Sequence, residues 1–195
     1  MIGNDIVDLN VASVESNWQR KGFLNKIFTD EEQHVILNSE NSFQSVWLFW
    51  SMKESAYKIY IRKHKNRFFA PKKFNCKLVS EIKGIVFIDQ ESYPTSSTID
   101  TKYIFTQATM TNDANLDNSH FKVKNKSYTN DGYKVYKQLK DTVSKKLNIP
   151  ITELQLKKDK IGIPKLYHNH TSLEILFSLS HHGQYGAYSL LNTLL

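Results

Sequence analysis

The fold is decided by the stretch Trp50-Ser-Met-Lys53-Glu54-Ser-Ala-Tyr57-Lys58, together with Gly3-Asn-Asp5-Ile-Val-Asp8 near the start of the chain. The longer stretch predicts a helix on which Glu54 and Lys58, four residues apart, share one face. The shorter stretch predicts an apolar strand that carries carboxylates. A strand carboxylate beside a helix carboxylate can hold a divalent cation, and a lysine one turn away can contact a phosphate. The pair therefore indicates metal-assisted phosphoryl chemistry.

The composition indicates a packed protein that binds anions. The chain has 195 residues, 40% of them hydrophobic, and a net charge of +7, which favours partners such as nucleic acid, anionic lipid, a phosphorylated cofactor or an acidic protein. A single cysteine, Cys76, rules out an internal disulfide and a cysteine-cluster metal site. Because there is no charged-then-apolar leader and no apolar run of bilayer length, we expect a cytoplasmic protein without membrane contact.

A basic run without acids lies between residues 62 and 73; its cations are Arg62, Lys63, Lys65, Arg67, Lys72 and Lys73. One interpretation is a solvated helix end and loop, since cations are favoured near helix C-termini. The other is a docking surface for an acidic ligand. A nucleic-acid-binding module is a third possibility, given the aromatic pair Phe68-Phe69, but no recognised binding motif accompanies the charge.

The first part of the chain combines helices and strands. Helical spacing of apolar residues predicts a long helix over about 43–64. Thr29, with Glu32 three residues later, predicts a capped helix start. The residue pattern predicts strands at 2–8, 74–79, 84–88, 102–110 and 121–123. Segments rich in Ser, Thr, Asn and Asp predict loops at 89–100 and 111–120.

A second unit is predicted to begin near Asn130, which divides the chain into 1–129 and 130–195. Its apolar stripe predicts a helix closed by Pro150, and the stripe consists of Tyr136, Leu139, Val143 and Leu147. Strands are expected at 154–156, 173–180 and 185–191, with a turn at Gly162-Ile-Pro164. The predicted class is α+β, with an antiparallel sheet packed against the long helix.

Several polar residues stand out, each with an ordinary alternative. Asp5 lies in an apolar strand, where an unpaired carboxylate is costly, so it needs a metal, a cation or hydrogen bonds. Asp8 falls on the opposite face and is expected to cap the strand end. Glu54 and Lys58 could form an exposed helix pair. Ser180-His181-His182-Gly183, at a strand end, can contact phosphate or be structural.

Taken together, these motifs resemble the 4′-phosphopantetheinyl transferase superfamily. The family helix Trp-x-x-Lys-Glu-Ser/Ala-x-x-Lys is matched throughout by residues 50–58. The weaker matches are Gly3-Asn-Asp5-Ile-Val7, Phe28-Thr-Asp-Glu31-Glu32, Gly162-Ile-Pro164-Lys-Leu166 and Ser178-Leu-Ser180-His181. Residues from about 82 to 130 carry no motif.

The order of the motifs resembles that of the small holo-acyl-carrier-protein synthases, which form trimers with sites between subunits. Here the Asp and Lys-Glu motifs come first and the Ser-His motif last. The chain is longer than those enzymes, and its tail resembles the first half of the two-domain, surfactin-synthetase-activating type. We therefore hypothesise two pseudo-equivalent halves in permuted order, with one chain supplying both sides of the site.

The resemblance implies transfer of 4′-phosphopantetheine from coenzyme A to a serine of an acidic acyl or peptidyl carrier protein. Asp5 and Glu54 would bind Mg²⁺, Lys58 would stabilise charge on the phosphates, and Glu54 would be the base for the serine. Ser180 and His181 would contact the coenzyme A phosphates, with Lys53 a further candidate. Such a protein is expected to be a monomer or small homo-oligomer.

Two departures from the family pattern qualify this prediction. Val7 stands where some members carry a third metal carboxylate, so a two-carboxylate site is expected, with water or Asp8 completing the metal shell. Ile163 stands where the family has a lysine, and Lys160 or Lys165 is a candidate replacement. A catalytically silent relative that binds coenzyme A or a carrier protein is therefore the alternative function.

Overall fold

The computed structural model describes residues 1–111, 115–123 and 131–192. It confirms the α+β class. The helices are α1 (Leu9–Glu15), α2 (Phe23–Ile27), α3 (Asp30–Asn38), α4 (Ser42–His64) and α5 (Asp131–Leu147). The strands are β1 (Ile2–Asp8), β2 (Asn75–Leu78), β3 (Lys83–Ile88), β4 (Glu91–Ile99), β5 (Tyr103–Thr109), β6 (Leu116–Lys122), β7 (Leu154–Lys158), β8 (Pro164–His168), β9 (Thr171–Leu173), β10 (Phe177–His182) and β11 (Tyr185–Leu191).

The first sheet is antiparallel, in the order β1-β5-β4-β3-β2, and α4 lies against its β1 and β5 end. The approach is closest at Gly3, where a Cβ atom would lie 2.0 Å from the backbone oxygen of Ser55. Only glycine permits this contact, because any side chain would clash with helix backbone. The predicted long helix and first strand are thus confirmed, and they pack directly on each other.

Strand β1 is covered on both faces. Val7 packs in the core that α4 shares with the first sheet, whereas Ile6 packs with Phe105 and with Ala187 of β11. Strand β11 is the middle strand of a second antiparallel sheet, in the order β10-β11-β6. Because side chains alternate along a strand, Asp5 shares the α4 face with Val7, and Asp8 shares the second-sheet face with Ile6.

Each of the two predicted loops contains a strand, so the predictions are wrong over most of their described length. Residues 91–99 form β4, in which Tyr93, Thr95 and Ser97 are buried. Ser97 Oγ lies 2.9 Å from Thr106 Oγ1 of the neighbouring strand, so small hydroxyl side chains, rather than apolar ones, fill part of the inner face of this strand. The second predicted loop contains the first residues of β6, which begins at residue 116. Strand β6 also includes most of the short strand predicted at 121–123. Residues 112–114 of the predicted loop lie outside the described residues.

The second unit has the predicted helix, and Val135, Leu139 and Val143 are its buried stripe. Helix α5 packs on β10 and β11, beside a small antiparallel sheet in the order β7-β8-β9. The strand predicted at 173–180 is interrupted, since β9 ends at Leu173 and β10 begins at Phe177. The division at residue 130 stays a prediction, and β6, which precedes it, pairs with β11, which follows it.

None of the helices in the described ranges has the length and apolar character needed to cross a bilayer.

Candidate functional site

Lys58 lies where β1, α4 and β10 meet. Its Nζ donates to the backbone oxygens of Asn4, at 2.5 Å, and Leu179, at 3.3 Å, and lies 3.5 Å from Asp5 Oδ1. One ammonium group therefore joins residues from both ends of the chain. Since the side chain keeps 26% of its surface exposed, it can still meet a ligand from solvent.

Asp5 and Glu54 form a pair of carboxylates beside Lys58. Burial raises the pKa of Asp5, and the charge of Lys58 opposes this rise. Burial, followed by the negative charge of Asp5, raises the pKa of Glu54 to about 7. Glu54 has no hydrogen-bond or ion-pair partner among the described residues. When both carboxylates are ionised, the site carries more negative charge than Lys58 neutralises.

This donor set fits a hard divalent cation such as Mg²⁺. Two neighbouring carboxylates that burial and mutual repulsion make reluctant to ionise would be relieved by a cation between them. In the part of the chain that the structure describes, no group of three or more His, Cys, Asp and Glu side chains could hold a metal. Further ligands would therefore be water and substrate oxygens, as is usual for Mg²⁺.

A cationic cavity of about 210 Å³ adjoins Lys58. Its basic lining consists of Lys58, Arg62, Arg67, Lys158 and His181. None of the described residues that line it is acidic. Such a cavity concentrates positive potential and favours a ligand with several negative charges.

Arg62 is the most constrained of these cations. Its Nη1 donates to the Phe177 oxygen at 2.6 Å, while its buried Nε has no partner in the described ranges. Burial lowers the pKa of the guanidinium, and the charge of Asp159 opposes this. A buried donor without an acceptor is costly, so a bound anion would satisfy a group that the fold leaves open.

The position of the missing family lysine also faces this cavity. Ile163 lines it, and so does Lys158, whereas neither Lys160 nor Lys165 does. Gly162 brings Arg67 close, since a Cβ atom there would lie 2.6 Å from Arg67 Nη2. The structure therefore offers Lys158 and Arg67, rather than the two lysines we expected, as replacements.

The Ser-His motif is divided between cavity and interior. His181 is exposed and lines the cationic cavity. Ser180 is 7% exposed, its Oγ has no described partner, and it is absent from the lining. This follows from strand alternation, which turns adjacent side chains to opposite faces. A coenzyme contact by Ser180 stays a prediction.

Lys53 has a structural role that the sequence did not suggest. Its side chain is 2% exposed and forms an ion pair with Glu32 at 2.8 Å. It also donates to the backbone oxygens of Pro71 and Phe74. Because these contacts use all three ammonium protons, none is left for a phosphate in this arrangement, which favours a structural role over the coenzyme contact that we expected of Lys53.

Asp8, at the end of β1, has the capping role that we expected. Its Oδ1 accepts hydrogen bonds from the N–H groups of Asn10 and Val11, so it is the N-cap of α1. Its Oδ2 accepts one from Gln184 at 2.9 Å. Both oxygens are thus used, and two carboxylates, Asp5 and Glu54, remain at Lys58.

A second, aromatic cavity of about 310 Å³ lies one helical turn earlier along α4. Glu54 and Tyr57 line it from the helix, and Phe68, Phe69 and Phe74 line it from the segment that follows; Arg67 lines both cavities. Phe69 is 66% exposed. The candidate base thus faces an apolar cavity, while Lys58 faces a cationic one.

Sequence reasoning did not assign Arg62, Arg67 or Lys158 to the coenzyme site. Arg62 and Arg67 were noted only as members of the basic run at 62–73. Arg62 follows Lys58 by four residues, and this spacing, applied once more along α4, could have assigned it to the site. Arg67 and Lys158 reach the cavity from a loop and from β7, and no pattern within either segment predicts that they meet there.

Comparison with protein families gives one result. The model of a family described as the 4′-phosphopantetheinyl transferase superfamily matches residues 1–115, more than half of the chain. The match includes Asp5, Glu54 and Lys58, and ends before β10. Comparison with curated proteins gives no match.

Proposed function

We propose that this chain, which belongs to the 4′-phosphopantetheinyl transferase superfamily, transfers 4′-phosphopantetheine from coenzyme A to a serine of an apo acyl or peptidyl carrier protein. The products would be the holo carrier and adenosine 3′,5′-bisphosphate. Coenzyme A is the co-substrate and Mg²⁺ the cofactor in this proposal, and Asp5 and Glu54 would hold the cation.

The proposal rests on one observation. A cationic cavity, with no acidic residue among the described residues that line it, lies beside the carboxylates of Asp5 and Glu54, which have only Lys58 to compensate their charge. Coenzyme A carries a pyrophosphate and a separate 3′-phosphate, so it needs positive charge at two places. Lys58 would contact the pyrophosphate, and His181, with Arg62, Arg67 and Lys158, would contact the distal phosphate. The nucleotide end would thus lie in the cationic cavity.

The transfer step is a displacement at the phosphorus that carries pantetheine. The serine Oγ–P bond forms, the anhydride P–O bond breaks, and the electron pair leaves with the bisphosphate. Glu54, directly or through a metal-bound water, would take the serine proton. Lys58 would stabilise charge on the departing phosphate. When bound, Mg²⁺ would neutralise pyrophosphate charge.

The acceptor is expected on the side of the aromatic cavity. The attacking and leaving oxygens lie roughly in line in phosphoryl transfer, so a nucleotide in the cationic cavity leaves the Glu54 side for the serine. Exposed Phe69 and the surrounding lysines would meet a carrier with apolar and acidic groups near its serine. Of the basic run, Lys65, Lys72 and Lys73 are exposed, whereas Lys63 pairs with Glu91 at 2.9 Å.

A single chain would be sufficient for this site, because β1, α4 and β10 of one chain meet at Lys58. We therefore propose a monomer or small homo-oligomer that acts in the cytoplasm, without nucleic acid or membrane. Size-exclusion chromatography with light scattering, combined with activity at each concentration, tests this. An obligate trimer that loses all activity on dissociation would contradict the proposal that one chain is sufficient for the site.

The test of the proposed function is mass spectrometry of an apo carrier protein incubated with this protein, coenzyme A and Mg²⁺. We expect the carrier to gain the mass of phosphopantetheine, and EDTA to prevent the gain. Fatty-acid, polyketide and peptidyl carriers are compared in parallel. The matched control omits the enzyme. A carrier whose serine is replaced by alanine should gain no mass, which would show that the serine is the residue modified.

A different result would separate the alternatives. Binding of coenzyme A without mass gain on any carrier class would favour a catalytically silent relative. Absence of coenzyme A binding, measured by calorimetry with and without Mg²⁺, would contradict both.

A further inference from the structure

The open edge of β1 faces β10 without a backbone ladder between them. Strand β1 is the last strand of the first sheet, and β10 is the last strand of the second. In the described ranges, the hydrogen bonds that join these two strands run through side chains. They would therefore depend on residue identity, whereas a backbone ladder would not.

Two such bonds lie at opposite ends of the strands. The N–H of Asn4 donates to Ser178 Oγ at 2.9 Å, and the N–H of Asp8 donates to His182 Nδ1 at 2.9 Å. Both pairs are separated by 174 residues in the chain, so β10 runs parallel to β1 in one constant register. The bonds are four residues apart on each strand, or about 13 Å, and Lys58 bridges the strands between them.

The chemistry of His182 is defined by this contact. A backbone N–H can only donate, so Nδ1 must be unprotonated and the proton lies on Nε2. Nε2 lies 3.9 Å from Glu15 Oε2. The imidazole thus supplies an acceptor at a position where β1 would otherwise present a buried, unpaired N–H group.

We infer that Ser178 and His182 are positioning residues that hold the two halves of the coenzyme site in register. Strand β1 carries Asp5 and the Asn4 oxygen, which hold Lys58 at the reacting phosphate; β10 carries His181 and the Leu179 oxygen. A slip or splay of β10 would change the distance between the two phosphate sites without altering either one. This inference rests on the proposed function for its consequence, but the strand contact itself does not.

The experiment compares His182→Leu, which lacks an acceptor, with His182→Asn, whose Oδ1 can take the place of Nδ1. For His182→Leu we expect faster amide hydrogen exchange at Asp8 and an approximately tenfold weaker affinity for coenzyme A, since a buried donor loses its partner. His182→Asn should restore both within about twofold of wild type. In turnover, the leucine variant should raise the KM for coenzyme A and leave that for the carrier unchanged.

Two further variants complete the design. Ser178→Ala should accelerate exchange at Asn4, and because Ser178 also lines the cationic cavity, the exchange rate is the quantity that tests its positioning role. His34→Leu, at an exposed histidine of α3, is the control and should change neither quantity. Wild-type exchange protection at Asp8 in His182→Leu, or an asparagine variant as impaired as the leucine one, would overturn the inference.

Failure of the proposed function can be told apart from failure of this inference. Hydrogen exchange requires neither coenzyme nor carrier. A wild type without transfer activity, in which Asp8 protection is lost with leucine and regained with asparagine, would refute the transferase and support the positioning role.

Discussion

Two neighbouring residues of α4, Lys53 and Glu54, both line the aromatic cavity but differ in how their charges are compensated. Lys53 pairs with Glu32, whose carboxylate also accepts hydrogen bonds from the N–H groups of Thr29 and Cys76. Every polar atom of that pair is satisfied. Glu54 instead has only repulsion from Asp5 and partial compensation by Lys58. In the region that stabilises the fold, every polar atom of the ion pair has a partner. In the region expected to bind ligands, the carboxylates lack sufficient positive charge nearby.

The difference is visible in the helix itself. The Lys53 side of α4 faces α3 and the loop before β2, both of which supply acceptors. The Glu54 and Lys58 side faces β1 and two cavities. One sequence motif therefore combines a structural lysine with a functional carboxylate, and substitutions at the two should separate stability from activity.

The largest effect is expected for Glu54→Gln. Loss of the base and a metal ligand should lower the transfer rate by about 10²- to 10⁴-fold, with the free energy of unfolding unchanged or increased, because a repelled carboxylate is removed. Rates come from the mass-spectrometric assay and stability from urea denaturation. The control is Glu81→Gln, at an exposed carboxylate in the turn between β2 and β3; similar activity of both variants would contradict the assignment.

Glu32→Gln should produce the opposite pattern. Breaking a buried ion pair by removing one partner costs about 3–5 kcal/mol, so we expect a large fall in the free energy of unfolding. The rate per folded molecule should stay near that of wild type. The double variant Glu32→Leu with Lys53→Met should recover part of the stability, because it leaves no unpaired charge. A wild-type unfolding curve for Glu32→Gln would disprove the contrast.

The pH dependence of stability should report Glu54 in the metal-free protein. Its pKa is raised from 4.5 to about 7, so the folded state binds a proton that the unfolded state has lost. The contribution of Glu54 to the free energy of unfolding is therefore largest below pH 4.5, falls by up to about 3 kcal/mol between pH 4.5 and 7, and is then constant. Denaturation in EDTA at pH 5 and 8 measures this, and Glu54→Gln should reduce the difference. A dependence equal in both proteins would exclude Glu54 as its source.

Arg62→Gln should weaken coenzyme A binding. Hydrogen bonds to charged groups contribute about 1.5–3 kcal/mol, so the KM for coenzyme A should rise by about 10- to 100-fold. The KM for the carrier should not change, because the cationic cavity is proposed to hold only the nucleotide. Lys145→Gln, at an exposed lysine of α5, is the control. An increase confined to the carrier KM would assign Arg62 to the other side of the site.

The smallest effect is expected for the exposed lysines of the basic run at 62–73. Charge reversal at Lys65, or at Lys72 and Lys73, should raise the KM for the carrier by about two- to tenfold at low salt, chiefly through slower association. The effect should shrink as ionic strength rises, since exposed charges are screened. Reversal at Lys63, which Glu91 already neutralises, should matter less. An unchanged KM for the carrier in all of these variants would contradict the proposed docking surface.

Much of the fold could be predicted because its signals are local. The helical spacing in α4, the alternation in β1 and the capping box of Thr29 and Glu32 each lie within one segment, and the structure confirms all three. Strand β4 was missed because its buried side chains are threonine and serine, which composition associates with loops. Their burial depends on hydroxyl pairing with β5, which no local pattern records.

The sequence by itself determined the class of the fold, the carboxylate pair of Asp5 and Glu54, and the lysine that follows one turn later. Only the tertiary structure decided which lysine of the motif is structural, where the other cations of the cavity come from, and how β10 is held beside β1. The reason is distance along the chain: Lys53 meets Glu32 across 21 residues, and Lys58 meets Leu179 across 121. Spacing within a segment predicts which face a side chain occupies, whereas its charge balance depends on segments that folding brings next to it.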